Sequence, residues 1–429
     1  MIRRVLPAAV AAALAVTLLT GGAAAPEPTP DPIRTAEYWL EDYGVTEAWK
    51  TTRGAGTTIA IIDTGIARDP AEFAGAVAGG ADFSGVGASD GRSPVGAVDA
   101  NHGSWVASLA AARGTGEDTG MIGVAPAAKL LSLSVGFGAT SSVPFVDQVA
   151  EAMRWAVDHG ADVINLSFTT NTLDWDRSWD DAFLYAYEHD VVVVVAAGNR
   201  GSGTDRVGAP ATIPGVLTVG GVDKTGKASV EASTQGITIG ISAPSEQLRG
   251  VSADGRVVSW NGTSGAAPIV AGIAALVRSA HPDLDAANVI NRIIRTATAV
   301  PNGSRALYGY GLIDAEAAVS ADVAAVTTNP MGDLKEWVRV NRRAEAGPQA
   351  TPTVTPVTVE ALPPAEGPTE RSSSLLPSAE TLRYGTVPLV GATLTAILVA
   401  LGVTAAARRV RSARNSARAE PLNQGAPPQ

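Results

Sequence analysis

The chain has 429 residues, 45% of them hydrophobic and 17% charged, a composition of folded rather than disordered protein. Its net charge of −10 argues against nucleic-acid partners. The absence of cysteine excludes disulfides, thiolate nucleophiles and cysteine-ligated zinc, leaving packing or bound ions to supply stability.

The chain opens on a basic head, Met1–Arg4, an uncharged apolar run, Leu6–Leu19, and the small residues Gly22-Ala23-Ala24-Ala25. This is the pattern of an export signal over residues 1–24, with an uncleaved anchor helix as the alternative. Cleavage is placed after Ala24, because a cut after Ala25 would leave Pro26 just past the scissile bond. Residues 25–36 form a proline-rich lead, expected to lie extended and too short to build a core of its own. Residues 37–320 are expected to form one folded domain. Within it Thr58–Asp63, Lys129–Val135, Asp162–Ser167, Val191–Ala197 and Val216–Val222 are apolar enough to be buried strands. Helices are expected from near His102, over 143–159, 176–189, Ser264–Ala280 and 285–296. Unbroken apolar strands alternating with helices predict an α/β fold, a three-layer arrangement around a parallel sheet covered on both faces. Functional residues in such sheets gather at the carboxyl ends of strands.

Residues 321–385 are expected to be a linker, richest in Pro, Thr, Ser and Glu over 344–382. Thr386–Ala407 then runs 22 residues without a charge. As a helix it would span about 33 Å, enough for a bilayer core. Arg408, Arg409, Arg411, Arg414 and Arg418 follow, which makes 408–429 a basic cytoplasmic tail. The expected topology is a single-pass cell-membrane protein with its folded domain extracellular.

Four motifs carry chemistry. Ile59-Ala60-Ile61-Ile62-Asp63-Thr64-Gly65 places a carboxylate at a strand end, where it can orient a histidine. Asp-Thr-Gly also occurs in aspartic proteases, which need two carboxylates sharing a proton; the tripeptide stands here at 63–65 and again at 118–120, the second copy in the acidic turn Gly114–Gly120. His102-Gly103-Ser104 opens a helix, and Gly103 lets backbone or substrate come close. The other histidines, His159, His189 and His281, sit at helix ends and read as turn residues. Asn261–Pro268 (Asn-Gly-Thr-Ser-Gly-Ala-Ala-Pro) sets Ser264 at the start of a long apolar helix, where free N–H groups and the dipole favour negative charge. A plain helix cap is the other reading. Ala196-Ala197-Gly198-Asn199 ends the valine strand and delivers an amide suited to an oxyanion, or simply a turn asparagine.

Taken in the order Asp, His, Ser, and with Gly-Val-Ala-Pro at 123–126 and Val-Ile-Asn-Leu-Ser at 163–167, these motifs resemble the subtilase family over roughly Val45–Ala315. The resemblance implies a subtilisin-like fold and a serine endopeptidase acting on protein or peptide substrates. In it Ser264 is the nucleophile, His102 the general base and then acid, and Asp63 the residue orienting His102. The Asn199 side chain and the Ser264 backbone N–H make the oxyanion hole. Leu166, Ser167, Phe168, Thr169, Ala196, Ala197 and Gly198 line the substrate cleft. Thr169 stands where many subtilases have glycine, so a preference for small residues before the cut is expected. The loop Gly114–Gly120 lies where many subtilases bind calcium. Its two carboxylates, against the six to eight oxygens calcium takes, favour a solvated turn, so no cofactor is expected and calcium stays an open alternative.

The layout of signal, short lead, catalytic domain, spacer and carboxyl-terminal span also resembles the mycosins, subtilases associated with type VII secretion. Tyr38-Trp39-Leu40 and Ala48-Trp49-Lys50 look like their opening segment, although mycosins commonly carry disulfides. This implies type VII secretion components as partners. It leaves open a role as a structural subunit of that membrane complex in which proteolysis is secondary. The short lead further implies folding without a removable inhibitory domain.

Overall fold

The computed structural model describes residues 30–96, 99–137, 141–342 and 387–417. The expected signal, the first residues of the lead, the spacer 344–382 and the tail beyond 417 lie outside the described residues. The chain divides into two units, residues 1–365 and 366–429.

In the first unit three short helices, α1 (Pro32–Ala36), α2 (Trp39–Asp42) and α3 (Val45–Ala48), lead into the sheet. The lead is therefore helical from Pro32, not extended. Asp31 accepts from the N–H groups of Ile33 and Arg34 at 2.8 and 3.1 Å, and proline occupies the first helical position, which is the ordinary signature of a helix start. The opening segment is part of the core. Trp39 is fully buried, Tyr38 donates to the Glu246 carbonyl at 2.8 Å and Trp49 to the Val124 carbonyl at 2.7 Å. Buried Glu37 accepts from the Ile122 N–H at 2.9 Å, and loss of solvation pushes its carboxyl up to about 8.

The strands are β1 (Thr58–Asp63), β2 (Val77–Asp82), β3 (Lys129–Ser134), β4 (Val163–Leu166), β5 (Val192–Ala196), β6 (Leu217–Val222) and β7 (Ile239–Pro244). They form one parallel sheet in the order β2-β3-β1-β4-β5-β6-β7. Helix α4 (His102–Ala111) lies on one face. On the other are α5 (Phe145–Asp158) and α6 (Arg177–Glu188). A hairpin of β8 (Leu248–Val251) and β9 (Val257–Trp260) follows. Next comes α7 (Thr263–Ala280), the long buried helix on the α4 face. The valine run shows why the strands lack polar positions. Val192 and Val194 join the core under α4 and α7, whereas Val193 and Val195 join the core under α5 and α6. Side chains alternate across a strand, so a sheet covered on both sides needs apolar residues at every step.

After α8 (Ala286–Arg295), α9 (Arg305–Tyr308) and α10 (Ala315–Ser320), the packed chain does not stop at residue 320. Asn291 donates to the Ala324 carbonyl at 3.0 Å, and Asn288 exchanges hydrogen bonds with Val326. Helix α11 (Leu334–Asn341) then packs on α6, with Trp337 against Trp175 at 4.5 Å and Arg342 paired with Asp180 at 2.8 Å. The folded domain thus continues to Arg342, into the expected linker. The second unit contains α12 (Val387–Ala417), of which Thr393–Arg411 is a candidate membrane span with mean hydropathy 1.4. Helix α7 is apolar enough to pass the same test, but it is a core helix.

Candidate active site

Asp63 ends β1, near the middle of the sheet, and is 0% exposed. Its carboxylate accepts from the Thr64 N–H at 2.7 Å and lies 2.8 and 3.0 Å from His102 Nδ1. A carboxylate can only accept, so Nδ1 carries the proton and Nε2 is the free base of the neutral ring. Two details aim the imidazole. Thr64 Oγ1 donates to the Ala100 carbonyl and accepts from the Gly103 N–H, both at 2.8 Å, tying the strand end to the first turn of α4. Gly103 packs so tightly there that a Cβ would lie 2.6 Å from the Gly65 carbonyl oxygen. Burial alone would lower the His102 pKa. The charge and hydrogen bond of Asp63, with a smaller contribution from Asp99, raise it above the ordinary value. Trp260 and Trp105 meet the ring edge-on, at 5.7 and 6.4 Å.

Ser264 is the second residue of α7. Its Oγ donates to the Ser167 carbonyl at 2.9 Å, and Ser167 Oγ donates back to the Ser264 carbonyl at 2.8 Å. Pro268 makes the second bond available. It has no N–H to give to the residue four earlier, which is Ser264, so that carbonyl is left for Ser167. The proline in the helix is thus a local device for joining α7 to the end of β4. Asn165 supports it, donating to Ser167 Oγ at 2.8 Å. Among the described residues no hydrogen bond joins Ser264 to His102.

Asn199 follows β5. Its Oδ1 accepts from the Thr263 N–H at 2.7 Å and from Thr263 Oγ1 at 3.0 Å. A backbone N–H can only donate, so the amide oxygen must face Thr263 and the NH₂ group is left to the cavity. Thr263 Oγ1 in turn accepts from the Gly198 N–H at 2.9 Å. Gly262, at φ +147, comes close enough that a Cβ would sit 3.0 Å from Asn199 Nδ2, so the Gly-Thr step that precedes Ser264 also fixes the asparagine.

His102, Ser264 and Asn199 line one cavity of about 390 Å³, together with Ser167, Phe168, Thr169, Ala196 and Gly198. Asp63 stands behind His102. Leu166 and Ala197 do not line it. Both are fully buried, because their side chains alternate into the core under α5 and α6. Phe168 packs on Phe137 and Phe145 at 5.7 and 5.1 Å. The methyls of Thr169 and Thr204 press against Gly198, within 2.8 and 2.6 Å of where a Cβ would be. Sequence reasoning did not single out Thr64, Thr263 or Phe137. The two threonines act through hydrogen bonds between distant segments, and only the Gly-Thr preceding Ser264 hinted at one of them. In the loop Gly114–Gly120, Glu117 and Asp118 belong to no group of three or more ligating side chains among the described residues.

Residues 54–311 match the Subtilase family. Mycosin-4 of Mycobacterium tuberculosis is 35% identical over 346 residues, 70% of this chain and 73% of the relative. Subtilisin DY of Bacillus licheniformis is 37% identical over 273 residues, 62% and 92% respectively. Among solved structures, MycP1 with its N-terminal propeptide removed superposes with a TM-score of 0.58 at 32% identity, covering 69% of this chain and 99% of that one. MycP1 from the ESX-1 type VII secretion system gives 0.58 at 30% identity, covering 68% and 88%.

Proposed function

The chain belongs to the subtilase family, and from that premise we propose that Asp63, His102 and Ser264 are the catalytic triad of a mycosin-like endopeptidase held at the cell membrane. It is a subtilisin-like serine endopeptidase related to the mycosins. The observation that carries the triad is the buried Asp63 carboxylate 2.8 Å from His102 Nδ1, with Ser264 and Asn199 on the same cavity. His102 Nε2 takes the Ser264 proton as Oγ attacks the substrate carbonyl. The Asn199 amide and the Ser264 N–H, at the positive end of α7, bind the oxyanion. The imidazolium, stabilised by Asp63, then protonates the leaving amine, and water repeats the cycle on the acyl-enzyme. Before attack Ser264 Oγ turns from the Ser167 carbonyl to Nε2, a rotation about a single side-chain bond.

The same proposal places the enzyme domain outside the membrane, on protein or peptide substrates, with type VII secretion components as partners. Support comes from the apolar span Thr393–Arg411, the arginines that end it, and the similarity to MycP1 from the ESX-1 system. These observations equally favour a second reading, a structural subunit for which proteolysis is secondary. A fluorophosphonate probe tests the mechanism. Wild type is expected to be labelled and Ser264→Ala to be neither labelled nor active. Turnover retained in pure Ser264→Ala would overturn the triad. Complementation of a deletion strain by Ser264→Ala would favour the structural role.

A further inference from the structure

One wall of the cavity continues into a loop that the reaction chemistry proposed above does not use. Thr169 and Asn171 line the cavity, and residues 170–176 then run without helix or strand to the start of α6. Residues 171–174 are exposed, so no buried side chain anchors this stretch and its shape rests on contacts at its two ends. At the cleft end the Thr170 N–H donates to the Ala209 carbonyl at 2.7 Å, and the Ala209 N–H donates to the Thr172 carbonyl at 2.8 Å. At the far end the contacts converge on Arg342, which lies 167 positions beyond Trp175 in the chain. Its Nη2 donates to the Trp175 carbonyl at 3.0 Å and its Nε to Asp180 Oδ2 at 2.8 Å. Trp175 Nε1 donates to the other oxygen of the same carboxylate at 2.6 Å, and Trp337 covers the Trp175 ring. To pin α11 on α6 alone, the pair with Asp180 would be enough. Arg342 also holds the backbone of the loop that leads back to the cleft.

From this arrangement we propose that Arg342 is a positioning residue for the substrate cleft, fixing the loop that carries Asn171 and so holding that wall ready for an extended peptide. The proposal rests on the triad reading above. A loop that must be ordered by the substrate takes its cost from binding, and a loop already held does not. The reacting groups are held by separate junctions, His102 through Thr64 and Ser264 through Ser167, so loosening the loop acts on binding rather than on the chemical step. The expected size is that of ordering a few loop residues, about three- to tenfold in KM.

The test uses the full chain as wild type, Arg342→Ala, Arg342→Lys and the double variant Arg342→Ala with Asp180→Asn. KM and kcat are measured on a peptide extending several residues to each side of the cut, with the rate of fluorophosphonate labelling beside them. The small probe reaches Ser264 without needing the loop. Arg342→Ala is expected to raise KM about three- to tenfold, with kcat and the labelling rate within about twofold of wild type. Amide hydrogen exchange over residues 171–175 should quicken. Lysine keeps the charge beside Asp180 but lacks the planar fork that reaches two acceptors at once, so Arg342→Lys should recover KM only in part. Removing Arg342 alone leaves the buried Asp180 carboxylate unpaired and lowers Tm. The double variant removes that charge, so its Tm should recover while KM stays raised. An unchanged KM, unchanged exchange over 171–175, or a KM that returns to wild type together with Tm overturns the proposal. So does an equal fall in peptide turnover and labelling, which marks general loss of structure. If wild type is still labelled at Ser264 in those cases, the triad stands and only the positioning role fails. Loss of labelling in folded wild type removes both.

Discussion

At the residue scale the site is a set of oriented groups, and each orientation comes from a side chain elsewhere in the chain. The Asn199 amide can serve as a donor only because Thr263 occupies its oxygen. Replacing Asn199 by Leu is expected to lower kcat about a hundred- to a thousandfold with little change in KM. Thr263→Val, which removes only the hydroxyl, should lower kcat about tenfold in the same pattern. Steady-state kinetics on one peptide checks both, and an effect confined to KM would make Asn199 a binding residue. His102 supplies a pH prediction. Its pKa is raised, chiefly by Asp63 acting against burial, and in the proposed mechanism the neutral ring is the base. Activity should therefore fall as pH drops through a midpoint above the ordinary ~6.5 of histidine. Asp63→Asn should move that midpoint down while cutting plateau kcat by about ten-thousandfold, as read from the pH profile of kcat/KM. Thr169 sets a third expectation. Its methyl and that of Thr204 fill the wall at Gly198, so cleavage after Ala or Ser should exceed cleavage after Phe or Tyr in a peptide library, and Thr169→Gly should narrow the difference.

At the element scale the site is held by junctions between strand ends and helix starts. The carbonyl that Pro268 leaves free on Ser264 is used by Ser167 at the end of β4, and the hydroxyl of Thr64 joins β1 to α4. The clasp formed by α11 is a different junction. Trp337 packs against Trp175 with the rings tilted by 35°, and Arg342 lies over both rings while pairing with buried Asp180. Removing the aromatic partner exposes apolar surface and leaves the Arg342–Asp180 pair less shielded. Trp337→Ala is expected to cost about 2–3 kcal/mol, seen as a Tm lowered by several degrees with kcat little changed. Unchanged Tm would mean that α11 does not contribute to the stability of the domain.

At the scale of the whole molecule, the apolar helices α7 and α12 differ in environment rather than composition. A chain ending at Arg342 keeps α7 and the clasp and lacks α12. It is expected to fold, to react with fluorophosphonate and to partition into the soluble fraction, whereas the full chain partitions with membranes. Membrane partitioning of the short chain would overturn the assignment of the span. The fold class and the main strands were legible in sequence, because a doubly covered parallel sheet demands unbroken apolar strands and the valine run meets that demand. β2 and β7 were not legible, since Val-Ala-Gly-Gly-Ala-Asp and Ile-Gly-Ile-Ser-Ala-Pro carry too few large apolar residues to stand out. The residues Asp63, His102, Asn199 and Ser264 could be picked out because their chemistry needs particular residue types beside glycine or at an element's end. The sequence by itself determined the main buried strands and helices and which side chains are of the types the proposed chemistry needs, since both follow from local pattern and residue type. Only the tertiary structure decided that Leu166 and Ala197 face the core, that the domain runs on to Arg342 and that Thr263 turns the Asn199 amide. Each of those depends on contacts between segments far apart in the chain, which no local pattern encodes.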